Sequence, residues 1–172
     1  KVLGSSMPTW YGGWNNTVSY KNFDLNVFFR FSGGNKIMNA SRQSALFNMD
    51  FSNNGTEILG RWVSPEQPGD GMTPKIGYGD ASSLFNDGYT DSHFVESGNY
   101  LKLSTLALGY TLPKAVVSKL NMTKIRFYVQ GQNLLTIPGY SGLDPETNSR
   151  LGVDWNGMPQ QRSFTFGANI TF

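Results

Sequence analysis

The chain has 172 residues, one histidine, no cysteine and a net charge of +2. Those counts exclude disulfides, thiolate metal sites and a cysteine nucleophile, and no Lys/Arg run gives the footprint of a nucleic-acid partner. Charged residues make up 15% and aromatics 14% of the chain, where a soluble domain carries about a quarter charged residues. No stretch approaches the roughly 20 apolar residues of a membrane helix, which leaves a β-barrel open, since its strands hide half their side chains.

The opening "KVLGSSMPTW" is too short and too polar for a signal peptide. The expectation is that one has been removed, or that this is an internal piece of a longer chain. The first strand is predicted over Trp14 to Tyr20, "WNNTVSY". The second, "NFDLNVFFRF", alternates most clearly. Phe23, Leu25, Val27, Phe29 and Phe31 share one face, and Asp24, Asn26, Phe28 and Arg30 the other. The third runs from about Leu101 to Leu112. Its phase changes near Ser104–Thr105, which predicts a β-bulge there. The fourth, Lys124 to Asn133, sets Ile125, Phe127 and Val129 against Lys124, Arg126, Tyr128, Gln130 and Gln132. The fifth, "RSFTFGANITF", alternates strictly through Phe164, Phe166, Ala168, Ile170 and Phe172.

Short and long connections alternate between these strands. The turns are about residues 20–22 and 113–122, the latter with room for one helical turn after Pro113. The long segments are about 32–99 and 134–160, polar and rich in Gly and Pro, and "NASRQSALFNMDF" in the first suits a short helix. In an up-and-down sheet this places every long loop at one end, the layout of an outer-membrane barrel with brief periplasmic turns and long extracellular loops. A closing strand with an aromatic last residue fits the same reading. Five strands are too few to close, because the smallest bacterial barrels have about eight. The fold class expected is therefore all-β: an antiparallel transmembrane β-barrel, with residues 1–172 as the last five or so strands of a larger one.

Several segments resemble the late strands of the SusC/RagA-type TonB-dependent outer-membrane transporters of the Bacteroidetes. They are "WYGGWNNTVSYKNFDLNVFFRFSGGNKIMN", "RWVSPEQPGD", "FVESGNYLKLSTLALGYTLPK", "IRFYVQGQNLLTIPGYSGLDPE" and the close "GMPQQRSFTFGANITF". Lys102 stands where that family commonly has Arg, and residues 72–91 fit no motif of it. The resemblance implies a barrel of about 22 strands with a plug in its lumen. It implies TonB-dependent import of bulky nutrients, oligosaccharide or peptide, across the outer membrane. Partners implied are a SusD-like lipoprotein lid, the TonB complex, outer-membrane lipid, and the rest of the barrel and plug. The plug and the TonB-contacting segment belong to the N-terminal end of such proteins, absent from this stretch.

On the barrel reading, Phe23, Leu25, Val27, Phe29, Phe31, Ile125, Phe127, Val129, Phe164, Phe166, Ile170 and Phe172 face lipid. Asp24, Asn26, Arg30, Lys124, Arg126, Tyr128, Gln130 and Gln132 line the lumen, where they either meet plug and solute or solvate a polar interior. Tyr20 and Tyr110, near strand ends, suit an interfacial girdle. In the loops Trp62, Tyr78, Phe85, Tyr89, Tyr140 and Trp155 are candidates to stack on ligand or touch the lid, or else to pack the loops together. "LDPETNSRLGVDW" gathers Asp144, Glu146 and Asp154, a weak candidate for structural Ca²⁺ without EF-hand spacing. No other metal or cofactor is expected. The same carboxylates, and Asp91-Ser92-His93, lack the arrangement that glycoside hydrolysis or a triad needs, so the chain is not expected to be an enzyme. The competing reading is a soluble β-sandwich module that binds carbohydrate. That module would mix loop lengths at both ends.

Overall fold

A computed structural model describes residues 2–43, 53–75, 92–146 and 151–172. It divides into two compact units. One comprises Thr9–Gly33, Asn99–Pro138 and Gln160–Phe172, and it is a single five-stranded antiparallel sheet. Its strands are β1 (Trp10–Tyr20), β2 (Phe23–Gly33), β5 (Tyr100–Thr111), β6 (Lys124–Pro138) and β8 (Ser163–Thr171), in the spatial order β1-β2-β5-β6-β8. The five strands expected from alternation are these five, in sequence order and up-and-down. None of the helices among the described residues is long and apolar enough to cross a membrane.

The register shows what the alternation accomplishes. Residues directly opposite in an antiparallel pair share a face. One level of the sheet reads Val18, Leu25, Leu108, Val129 and Phe166 across all five strands. Another reads Trp14, Phe29, Leu103 and Leu135. Toward the short turns, Tyr20, Phe23, Tyr110 and Phe127 form an aromatic row, with the rings of Phe23 and Tyr110 4.7 Å apart. Asn16 is the one polar side chain on that face among the strand residues with partners. Most of its large apolar groups are exposed, Phe166 to 78%. The opposite face is polar: Thr17, Asn26, Ala107, Gln130 and Thr165 form one of its levels.

The phase change expected near Ser104 is present. Phe28 faces Thr105 while Phe29 faces Leu103, so Ser104 has no counterpart on β2. On the other side Leu103 faces Leu135 and Thr105 faces Gln132, so Asn133 and Leu134 stand opposite that one residue. Asn133 takes a left-handed backbone, φ 53°. The Ser104 hydroxyl accepts from Arg30 Nε at 2.9 Å, so the bulge aims it at a polar-face cation.

Three boundaries differ from expectation. β1 begins at Trp10 rather than Trp14, because Gly12 and Gly13 interrupt the side-chain pattern without interrupting the ladder; the rings of Phe31 and Phe28 occupy the space their Cβ atoms would take. β6 runs past Asn133 to Pro138, since Leu135 and Ile137 continue the apolar phase beyond the bulge. The long connections therefore begin later, after Gly33 and Pro138. Ile125 lies on the apolar face but is only 6% exposed, unlike its neighbour Phe127. A one-turn helix after Pro113, Lys114–Val117, packs on β6, and Val117 is buried there too.

The second unit comprises residues 1–8, 34–98 and 139–159. It holds a small sheet that the loop composition did not announce: β3 (Lys36–Asn39) lies between β4 (Val95–Ser97), antiparallel, and β7 (Val153–Asp154), parallel. Its apolar centre is Phe94, fully buried, with Met38 and Ile58 against it. A 3₁₀ turn, Thr56–Gly60, leads to Asp70, whose Oδ1 accepts from the N–H groups of Met72 and Thr73. The helix expected within residues 39–51 falls largely outside the described residues.

On the polar face Asp24 of β2 and Arg126 of β6 pair across the intervening β5, with Arg126 Nε 2.9 Å from Asp24 Oδ1. They meet over Gly109. A Cβ there would lie 2.3 Å from Arg126 Nη2 and 2.5 Å from Asp24 Oδ1. Gly109→Val is expected to destabilise the intact protein by about 1 kcal/mol, the scale of a part-exposed ion pair. In an Asp24→Ala background the same substitution should cost much less. Urea unfolding of the four proteins of that cycle measures the difference, and equal costs would show that the pair does not depend on the glycine.

Candidate functional site

Two polar surfaces are candidates. The first is the polar face of the sheet. Asp24, Asn26, Arg30, Lys124, Arg126, Tyr128, Gln130 and Gln132 all project from it, as their register requires. Much of it is internally tied. Asn26 Nδ2 donates to Asn15 Oδ1 and Thr17 Oγ1, each at 2.9 Å. The Tyr128 ring lies over Gly167, 2.5 Å from where a Cβ would stand, and the Arg126 guanidinium is 5.4 Å from the centre of that ring. Arg30 lies directly opposite Lys102. Lys102 is only 1% exposed and belongs to the same face, although it was not among the residues expected there. Phe23, Leu25, Val27, Phe29, Phe31, Phe164, Phe166 and Ile170 project from the other face.

The second surface is a cavity of about 370 Å³ in the unit built from the long connections. Its organiser is Arg42. The guanidinium grips Glu57 through Nε to both carboxylate oxygens at 3.0 Å and through Nη2 at 2.7 Å. Nη1 reaches Glu96 Oε1 at 3.2 Å. These carboxylates hold the Arg42 pKa above its ordinary value, the Glu57 hydrogen bonds contributing most. Glu96 in turn accepts from the Ser141 N–H at 2.7 Å and the Ser141 hydroxyl at 2.8 Å. Asn39 donates to Glu96 Oε1 at 3.3 Å, and its own Oδ1 accepts from the Arg42 N–H at 2.8 Å. One carboxylate thus ties residues 39, 42 and 141 together. The cavity wall presents ion-paired groups, amides and hydroxyls, with Leu143 as an apolar element.

The loop candidates are scattered. Tyr140 is buried, and its hydroxyl donates to Asp154 Oδ2 at 2.6 Å. Burial first, then that bond, drives the Tyr140 pKa far above the ordinary phenol value. Trp62 is half-exposed, with Lys75 Nζ 5.8 Å from its ring centre. Trp155 is 73% exposed. Tyr78, Phe85 and Tyr89 lie outside the described residues. The suggested calcium set does not gather. Asp154 is engaged by Tyr140 and the Gly157 N–H, Asp144 accepts from the Glu146 N–H, and among the described residues no three acidic or histidine side chains converge as a metal site. Asn39, Arg42, Glu57, Glu96 and Ser141 carried no sequence signal, because the contacts that unite them span up to 102 residues.

No family model matches the chain. It is 32% identical over 182 residues to TonB-dependent receptor P3 of Formosa agariphila, with all of this chain and 17% of that protein aligned. To TonB-dependent receptor P26 of the same organism it is also 32% identical, over 99% of the chain and 18% of that protein. Among solved structures, the RagAB peptide importer matches in its "open-open" and its "closed-closed" state, each with a TM-score of 0.84 and 26% identity over 100% of this chain and 18% of the other. The chain therefore spans less than a fifth of the length of these relatives.

Tyr140→Phe leaves the Asp154 carboxylate without its buried donor, a loss of about 1–3 kcal/mol. Limited proteolysis of the intact protein should cut residues 139–159 faster in the variant than in the wild type. The raised phenol pKa also fixes a sign. Its stabilisation is whole below the ordinary phenol value of about 10 and is lost only as pH climbs beyond it. Protection of this segment should therefore be flat from pH 6 to 9, and a loss within that range would show that another group controls it.

Proposed function

We infer that this chain is part of a TonB-dependent receptor of the SusC/RagA kind and that its sheet is one arc of the wall of a plugged, transmembrane β-barrel in the outer membrane. The observation that carries this is the five-strand apolar face, continuous from the Tyr20 row to the Leu101–Ile137 level at the other end. A soluble protein covers such a face, because leaving it in water forfeits about 25 cal/mol for each Å² of apolar surface. Lipid accepts it without further structure. The full-length sequence likeness to TonB-dependent receptors supports the same reading.

In this arrangement the polar face lines the lumen. The two short turns lie on the periplasmic side, and residues 34–99 and 139–162 are extracellular. The protein as a whole imports a bulky nutrient, oligosaccharide or peptide, with energy delivered through TonB. A SusD-like lipoprotein covers its outer mouth. The RagAB likeness, to a two-part assembly named a peptide importer, is what favours a lid and a peptide-sized solute. Transport on this reading is work for the plug, lid and outer loops. The wall's part is to hold a polar passage inside an apolar exterior, and the ion-paired state of Asp24 and Arg126 fits a supporting rather than a ligand-gripping role.

Leu108 and Ala107 are adjacent residues on opposite faces of the central strand. Introducing Arg at each in the full-length receptor separates lipid from lumen. Leu108→Arg should cost roughly 2–4 kcal/mol at mid-membrane and reduce the folded species, read as the band that shifts on heating before electrophoresis. Ala107→Arg should leave that band near wild-type intensity. Equal tolerance of the two substitutions, or wild-type protein soluble without detergent and showing no heat-shifted band, would favour the soluble sandwich instead.

A further inference from the structure

We propose that the short-turn end of the sheet is a docking surface for anionic phospholipid of the leaflet those turns face. The inference rests on the reading of the sheet as a membrane wall. It begins with charge. The sheet unit carries eight Lys/Arg and a single acid, Asp24, which is already engaged by Arg126. The other eleven acids of the chain fall in the long connections. Three of the cations, Lys21, Lys114 and Lys119, sit exposed in the two short turns, and residues 20–22 and 112–123 contain no Asp or Glu. Clustered lysines at a bilayer surface attract anionic headgroups, and an ammonium on a long stem is a suitable point charge for a phosphate.

The apolar groups beside these lysines complete the surface. The one-turn helix buries Val117 but leaves Val116 exposed, at 45%, and Leu120 just beyond it is 54% exposed. Lys114 and Lys119 alternate with them along the helix and the 3₁₀ turn Ser118–Leu120 that follows it, an amphipathic stretch of interfacial type. Lys21 Nζ is 5.2 Å from the centre of the Tyr20 ring, at the level of the aromatic row. On the apolar face next to that row is a depression of about 290 Å³ among Phe23, Leu108, Tyr110, Phe127 and Val129. A phosphate at the lysines and an acyl chain along the depression satisfy both parts at once. A neutral lipid would satisfy only the second.

The test uses the full-length receptor in nanodiscs of equal parts phosphatidylglycerol and phosphatidylcholine, with retained lipid counted by native mass spectrometry. The wild type should retain phosphatidylglycerol over phosphatidylcholine by roughly tenfold. The triple variant Lys21→Gln/Lys114→Gln/Lys119→Gln should lose that preference. A control with equal charge removed from the long connections, Lys36→Gln/Arg61→Gln/Lys75→Gln, should keep it. Each protein is first shown to give the heat-shifted band, so a failure of the barrel reading is seen in the wild type before any lipid is counted. If the triple variant does not fold, Lys119→Gln alone is read in the same way, with a two- to threefold drop expected. Absence of a preference in the wild type, or equal loss in both triple variants, overturns the proposal.

Discussion

The whole sheet depends on keeping one phase of side-chain alternation in agreement across five strands. A slip of one residue on any strand would carry its entire apolar set to the polar face. The chain meets this constraint in two ways. Three strands, β1, β2 and β8, keep strict alternation between their partners. The central strand, β5, breaks it once at Ser104, and the break is absorbed by an unpaired residue on one side and by Asn133–Leu134 on the other. The bulge lets Leu101 and Leu103 rejoin the face to which Leu106 and Leu108 belong. Without it the upper part of β5 would turn Lys102 outward and two leucines inward. A lysine on the apolar face and two leucines on the polar one would break both faces at once.

The polar face obeys a different rule, because its side chains interact across strands that are not neighbours. Arg126 reaches Asp24 over β5, and this is possible only where β5 offers Gly109. Tyr128 reaches over Gly167 in the same way. Glycine is an unfavourable strand residue on its own account. At these positions it clears a path for a longer side chain that restores the lost contact area.

The alternation made the five strands and their two faces legible from the sequence alone, and it showed the bulge as a parity change. The ends of strands were less visible. Gly12 and Gly13 carry no side-chain pattern, yet their ladder partners are in place. Pro138 and the left-handed Asn133 mark the tail of β6 as loop by composition, although Leu135 and Ile137 still pair. The unit of long connections was illegible for a stronger reason. Its strands are two to four residues long, too short for a period to register. Its organising contacts join residues such as Arg42 to Glu96 and Glu96 to Ser141, and nothing in local spacing announces those partners. The same reasoning explains Tyr140. As an aromatic in a Gly-rich loop it has the profile of a ligand platform, but the fold gives it Asp154 and buries it.

The two units therefore divide the physical labour. The sheet is held by ladder hydrogen bonds, whose geometry is insensitive to which side chains occupy either face, so identity can drift while the apolar phase persists. That is consistent with a fold shared at 26% identity. The connection unit is held by specific charged hydrogen bonds around Arg42 and Glu96, where a single replacement removes several bonds together. It also concentrates nearly all of the chain's carboxylates, while the sheet keeps the excess of lysine and arginine. RagAB structures in states of opposite name match the chain equally well, each with a TM-score of 0.84. One unit is thus a basic sheet ordered by a repeating ladder, and the other an acidic set of connections ordered by particular side-chain partners.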